Sequence, residues 1–209
     1  MVENIIVAII AYLIGSINFS VILSKKMAGF DVREKGSGNA GTTNMLRAVG
    51  KKAAAITLIC DILKGVVAIL IAMFIGNMVE TSNVALLVQI AGVAVILGHT
   101  FPVFFKFKGG KGVATSLGVL ILSNWQTGLI CLVFALILMA LTQMVSVGSI
   151  VAAILYPVLT LFIRENYIVE GYYFIYSIIL AVIIVYNHRE NVKRLLSGTE
   201  NKISFKGSK

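Results

Sequence analysis

Apolar runs, most of them close to the length of a bilayer crossing, alternate with short polar stretches along the whole chain. Crossing a bilayer as a helix takes roughly 20 predominantly apolar residues. By that measure the pattern predicts seven helical segments, at about 4–24, 53–76, 84–100, 113–123, 127–143, 148–163 and 171–187. On length alone the fourth fits a re-entrant or tilted piece as well as a full span. Between the first two segments lies a polar island, Gly36-Ser37-Gly38-Asn39-Ala40-Gly41-Thr42-Thr43-Asn44, with a short surface helix predicted over about 42–50. A second polar stretch, Lys106 to Gly112, precedes the fourth segment, and the chain turns polar and basic from His188 onward. No linker or low-complexity tract divides it, so residues 1–209 are expected to form one domain.

Charge decides how the segments are threaded. With seven crossings and the N-terminus outside, every Lys and Arg outside the spans falls on the cytoplasmic side except Arg164. The outer side then receives Arg164 with Glu3, Glu80, Glu165 and Glu170. Were the fourth segment not to cross, the later loops would change sides and the basic tail would face outward, against the positive-inside bias. The prediction is therefore an all-α polytopic integral membrane protein with seven transmembrane helices, its N-terminus outside and its C-terminus cytoplasmic. The three polar clusters and the 142–149 turn then share the cytoplasmic face.

Composition agrees: 58% of residues are hydrophobic and 13% charged, about half the charge of a soluble domain. The mean hydropathy is +0.95. A net charge of +9 would suggest nucleic acid for a soluble protein, but loop lysines that set orientation account for it, and no nucleic-acid partner is expected. Cys60 and Cys131 lie inside apolar segments without metal-type spacing. Glu3 stands where a signal peptide would be basic, so no cleaved leader is expected.

The chemistry gathers in the polar clusters. Gly36, Gly38 and Gly41 let the backbone turn and approach a ligand. Ser37, Asn39, Thr43 and Asn44 add neutral hydrogen-bonding groups, and Arg47 adds a fixed charge. Together they describe an anion cradle. The second cluster, His99 with Lys106, Lys108, Gly109, Gly110, Lys111 and Gly112, again pairs glycine amides with a cation. It is not a Walker A loop, which would need Gly at position 105 and Ser or Thr at 112, where Phe and Gly stand. Lys106 and Lys108 are assigned to lipid headgroups and Lys111 to a ligand. Ser146, Gly148 and Ser149 mark the start of the sixth segment. His188, Asn191 and Arg194 recur every third residue, along one helix face. Asp61 and Lys64, inside the second segment, are expected to neutralise each other, with Lys64 free to snorkel. No span carries paired carboxylates of metal-ligand type, and no Gly-x-Ser-x-Gly elbow occurs. Neither histidine is followed by Asp five residues on, so a His–Asp base is not written here.

These residues give the chain a resemblance to the bacterial acyl-phosphate:glycerol-3-phosphate acyltransferases. The likeness runs through Gly15-Ser16-Ile17, Asp31-Val-Arg33 into Gly36-Ser-Gly-Asn39, Gly41, Thr43-Asn44 and Arg47. It continues through Asp61-x-x-Lys64-Gly65, Gly98-His99-x-Phe-Pro102, Phe107-Lys-Gly-Gly-Lys-Gly-Val-Ala-Thr115, and Ser146 with Ser149. His188-Arg-x-Asn191-x-x-Arg194-Leu-Leu-x-Gly198 closes it. Asn18, Ala40 and Thr42 depart from the family's usual residues without removing a polar side chain. The resemblance implies a seven-helix membrane fold, acyl phosphate as donor, glycerol 3-phosphate as acceptor, and no cofactor or metal. It makes Ser37, Arg47, Lys111, His188 and Asn191 catalytic. Gly36, Gly38, Asn39, Gly41, Thr43, Asn44, His99, Gly110, Ser146, Ser149 and Arg194 bind substrate. The expected setting is a bacterial cell membrane, with the lipid bilayer as surroundings, a cytoplasmic active site and a monomer sufficient for activity. A transporter or exchanger of organic phosphates is the competing expectation, and a lipid-binding scaffold the third.

Overall fold

The structure, a computed structural model, describes residues 1–81, 83–163 and 172–203. The predicted outer charges Arg164, Glu165 and Glu170 and the tail lysines Lys206 and Lys209 lie outside the described residues. Among the described residues the regular structure is helical: α1 Val2–Gly15, α2 Phe19–Ala28, α3 Thr42–Ala48, α4 Lys51–Met78 and α5 Val84–Thr100, then α6 Val113–Ser123, α7 Trp125–Thr142, α8 Val145–Thr160, α9 Tyr173–Asn187 and α10 Arg189–Leu196. Four stretches are long and apolar enough to cross a membrane: Val2–Ala28, α4, Val84–Phe105 and α7. Helices α6, α8 and α9 are shorter, at 11, 16 and 15 residues. At 1.5 Å per residue α6 reaches only ~16 Å, about half the hydrocarbon thickness.

The first predicted segment proves to be two helices. The chain leaves helical geometry after Gly15 and re-enters at Phe19, where Asn18 caps α2 by accepting from Val21 N–H at 3.2 Å. Hydropathy is continuous across the break, which is why the pattern concealed it. Elsewhere each predicted apolar segment has its helix, with ends moved by a few residues.

The chain forms two compact units, divided after Ser123. In the first, α1 packs on α5 and α4 on both α5 and α6. Small residues set these crossings. A Cβ on Gly15 would strike the Val95 carbonyl, one on Gly98 the Tyr12 carbonyl, and one on Gly118 the Ile62 carbonyl. Such close backbone approach is how helices associate in lipid, where apolar burial drives little. Large side chains such as Ile9, Ile59, Phe74 and Leu70 stay exposed, as a lipid-facing surface requires. In the second unit, α8 packs on α7 and on α9. There Asn124 Nδ2 donates to the Tyr173 hydroxyl at 2.5 Å, which lies 2.9 Å from the Tyr156 hydroxyl. Polar groups facing lipid-buried surroundings thus satisfy one another across helix ends.

Candidate active site

The glycine island rests on an apolar base. Val21, Val32, Ala40, Met45, Ala53 and Ala54 are buried together, and Leu46, Val49 and Phe105 pack against them. Met45 anchors α3, whose last turn carries Arg47. Above this base Gly36, Ser37 and Gly38 are exposed and Asn39 is half-buried. Gly36 and Gly38 have φ of +60° and +70°, while Gly41 is extended at −155°. The loop is braced by Asn44. Its Oδ1 accepts from Ser37 N–H at 2.9 Å, and its Nδ2 donates to Val32 O at 2.8 Å and Lys35 O at 3.0 Å. Asn44 was expected to bind phosphate; the structure commits its amide to shaping the loop. The backbone amides differ from expectation too. Ser37 N–H goes to Asn44, Gly38 N–H to Lys35 O, and Gly41 N–H to Asn39 O. These three amides are committed within the loop, which places more of the island's anion-binding capacity on side chains: Ser37, Asn39, Thr43 and Arg47. An alanine at Gly38 would have to adopt a left-handed conformation that costs an L-residue roughly 1–2 kcal/mol. Gly38→Ala is expected to cut turnover about tenfold, since 1.4 kcal/mol depletes a conformer tenfold; unchanged steady-state kinetics would rule out a need for this turn.

The second loop is fastened to the first. Arg33, paired with Asp31 through Nε at 3.0 Å and Nη2 at 2.7 Å, donates from Nη1 to Phe105 O at 2.8 Å and Lys108 O at 3.1 Å. The Arg33 hydrogen bond holds the Asp31 carboxyl below its usual range. Gly109 N–H donates to Thr100 O at 3.0 Å and Gly110 N–H to His99 O at 3.1 Å. Here again the expected free amides are spent within the fold. Gly110 sits in a slot: a Cβ there would meet His99 Nε2 and lie 2.7 Å from Ala40 O. Gly110 is thus where the two loops touch, and Lys111 follows directly, half-buried and two residues before α6. Lys106 and Lys108, by contrast, are exposed on a loop beside Phe104 and Phe107.

Below lie the intramembrane charges. Lys64 Nζ is 2.9 Å from Asp61 Oδ1, off the line of a hydrogen bond, so this contact is an ion pair. The same ammonium donates to Ile17 O at 3.0 Å and meets His99 Nδ1 at 2.8 Å. The pair is self-neutralising as expected, and with side-chain exposure of 3% for Lys64 and 2% for Asp61 the lysine does not snorkel. His99, expected to bind substrate, is buried and joined to this pair. Removing one member of such a buried pair typically costs 3–5 kcal/mol.

In the second unit Ser146, Asn191 and Arg194 come together on one acceptor. Ser146 Oγ donates to Glu200 Oε1 at 2.9 Å and Asn191 Nδ2 to the same oxygen at 2.6 Å. Arg194 Nε donates to Oε2 at 2.9 Å. Sequence reasoning passed over Glu200; the only hint was an acidic residue within i+6 of Arg194 in a basic tail. Its side chain is 4% exposed. Burial pushes the carboxyl up, but the Asn191, Ser146 and Arg194 donors outweigh it and leave it below the usual value of 4.5. A depressed carboxyl contributes stability that is complete above pH 4.5 and fades as pH falls through the folded value. Glu200→Ala, which leaves buried donors unpaired, is expected to cost roughly 1–3 kcal/mol in thermal unfolding above that pH. A stability equal to wild type would refute the clamp. His188 is buried, its Nδ1 2.8 Å from Ile184 O. Ser149 Oγ is buried without a hydrogen-bond partner among the described residues.

Comparison with known proteins places the chain among its relatives. The family model described as glycerol-3-phosphate acyltransferase matches residues 5–198. A glycerol-3-phosphate acyltransferase of Clostridioides difficile is 43% identical over 97% of this chain and 96% of its own. One from Thermoanaerobacter pseudethanolicus is 46% identical, again over 97% and 96%. Among solved structures, the integral membrane glycerol 3-phosphate acyltransferase PlsY in its glycerol 3-phosphate form superposes with a TM-score of 0.84 at 36% identity, covering 96% of each chain. Its lysophosphatidic acid form gives 0.79 at 35%, covering 96% of this chain and 95% of that one. On sequence and on fold, along nearly its whole length, the chain belongs to the glycerol-3-phosphate acyltransferase family.

Proposed function

We propose that the protein transfers a fatty acyl group from acyl phosphate to the 1-hydroxyl of glycerol 3-phosphate, releasing lysophosphatidate and phosphate at the opening of phospholipid synthesis. One acyltransferase domain, residues 1–209, would do this as a monomer. It would sit in a bacterial cell membrane with seven spans, its N-terminus outside and its C-terminus and active site cytoplasmic. Loop charge supports that orientation: Lys25, Lys26, Lys51, Lys52, Lys106 and Lys108 all flank helix ends assigned to one face.

The observation that carries the proposal is the contact at Gly110, which holds an island rich in Ser, Asn and Thr against a loop ending in Lys111. Two anionic reactants repel each other unless cations and donors offset the repulsion. Ser37, Asn39 and Thr43 are assigned to the donor phosphate, and Arg47 and Lys111 to the acceptor phosphate. Gly36, Gly38 and Gly41 shape the island, and Asn44 braces it. In the second unit Ser149 and His188 are assigned to substrate contact, with Ser146, Asn191 and Arg194 held in place through Glu200.

An acyl phosphate is a mixed anhydride and already activated, so no acyl-enzyme is required. The acceptor hydroxyl attacks the acyl carbon, the bond to the phosphate oxygen breaks, and the departing phosphate takes the hydroxyl proton. Positioning of this kind lowers a barrier by up to roughly 7–11 kcal/mol. The test is direct. Detergent-solubilised protein given acyl phosphate and glycerol 3-phosphate should release phosphate and lysophosphatidate in equal amounts, and acyl-CoA should not replace the donor. Lysophosphatidate formed from acyl-CoA alone, or none formed at all, would reject the proposal. Transport is disfavoured because the charges within α4 already satisfy each other and His99.

A further inference from the structure

Lys64 is tied to more than charge neutralisation demands. Asp61, one turn away on the same helix, would balance it alone. Yet the ammonium also reaches two other elements, the carbonyl of Ile17 in the break between α1 and α2, and the ring of His99 near the end of α5. An ammonium has hydrogens to give and no lone pair, so His99 Nδ1 must be the acceptor. Asp61 Oδ1, at 3.5 Å from Nδ1, is farther from the ring than the ammonium is. The ring is therefore neutral, with its hydrogen on Nε2, and that nitrogen abuts Gly110. The His99 carbonyl receives the Gly110 N–H as well. His99 thus forms one wall of the Gly110 slot and also holds its amide, with Ala40 O as the other wall, and His99 is oriented by Lys64.

We propose that Lys64 is a positioning residue for acyl transfer. By fixing the tautomer and tilt of His99 it sets where Gly110 lies against Ala40, and so where Lys111 presents its charge. This rests on Lys111 holding the acceptor phosphate. Lys64 itself touches neither substrate. A second consequence is that one cation registers the α1–α2 break and the Gly110 loop together, through Ile17 O and His99.

Kinetics of Lys64→Met and Lys111→Ala, run side by side, test this. Lys64→Met is expected to raise KM for glycerol 3-phosphate about tenfold while leaving KM for acyl phosphate within about twofold. A purely structural role would instead lower kcat per mole of protein with both KM values unchanged, and that result overturns the inference. An unchanged acceptor KM in Lys111→Ala would overturn the Lys111 assignment and the inference with it. A raised KM there with none in Lys64→Met overturns the inference alone. Should Lys64→Met fail to fold, the ring is tested directly. His99→Asn, which keeps an acceptor near the Nδ1 position, should recover most of the acceptor affinity that His99→Leu loses; equal losses overturn the inference. Long-range 1H–15N spectra of histidine-labelled wild type should show His99 with Nδ1 bare and Nε2 protonated, and a proton on Nδ1 would also overturn it.

Discussion

Gly110→Ala is expected to cost on the order of 10²-fold in acyl transfer, the penalty of misplacing a reacting group by about 1 Å. The added methyl has no room on either side. It would be driven into His99 Nε2 and would lie 2.8 Å from His99 Cε1 and 2.7 Å from Ala40 O. His99 cannot swing away without losing Lys64, and Ala40 belongs to the packed base under the island. The strain is relieved by moving the two loops apart, which separates the groups assigned to donor and acceptor. Overpacking costs typically 1–3 kcal/mol, so thermal stability should fall as well, though far less than activity does. The check is kcat/KM for both substrates together with an unfolding curve. Activity lost only in proportion to folded protein would mean the slot is structural and nothing more.

How much of this was visible in the residues alone depends on the range of the interaction. Apart from the first, each apolar run announced its helix, because a membrane span must satisfy its own backbone and has few other options. The island was legible for a similar reason: glycine spacing is a local demand. What the loops do with their amides was not legible. Gly109 and Gly110 bond back to Thr100 and His99, and Asn44 reaches across to Val32 and Lys35. Those pairings belong to tertiary geometry, and a sequence of small polar residues fits an anion cradle and a self-bonded turn alike. The break after Gly15 was hidden by Ile17, whose hydropathy bridges it, although Asn18 is a recognisable helix cap. Glu200 was not legible because an anion site advertises itself through cations and glycines, whereas a clamp needs the opposite charge.

The same separation of local and tertiary roles makes Arg47 the sharper test of the chemistry. Arg47 stands on the last turn of α3 with an exposed side chain, whereas its neighbour Met45 does the anchoring. Truncating Arg47 leaves that anchor intact, so Arg47→Ala should change stability by no more than about 0.5 kcal/mol. Its effect on catalysis should be large, roughly 10²–10³-fold in kcat/KM, as for loss of one donor aimed at developing negative charge. Arg47→Lys should recover only part of the loss, because an ammonium cannot reproduce the planar fork a guanidinium offers to phosphate. Lys106→Ala is the matched control: it removes the same charge from an exposed loop and should change kcat/KM by less than about twofold. If the two alanine variants lost equal activity, and both losses vanished at high salt, the basic residues would be acting as a screened field over the membrane face. A loss confined to Arg47 and resistant to salt instead requires direct contact with a phosphate.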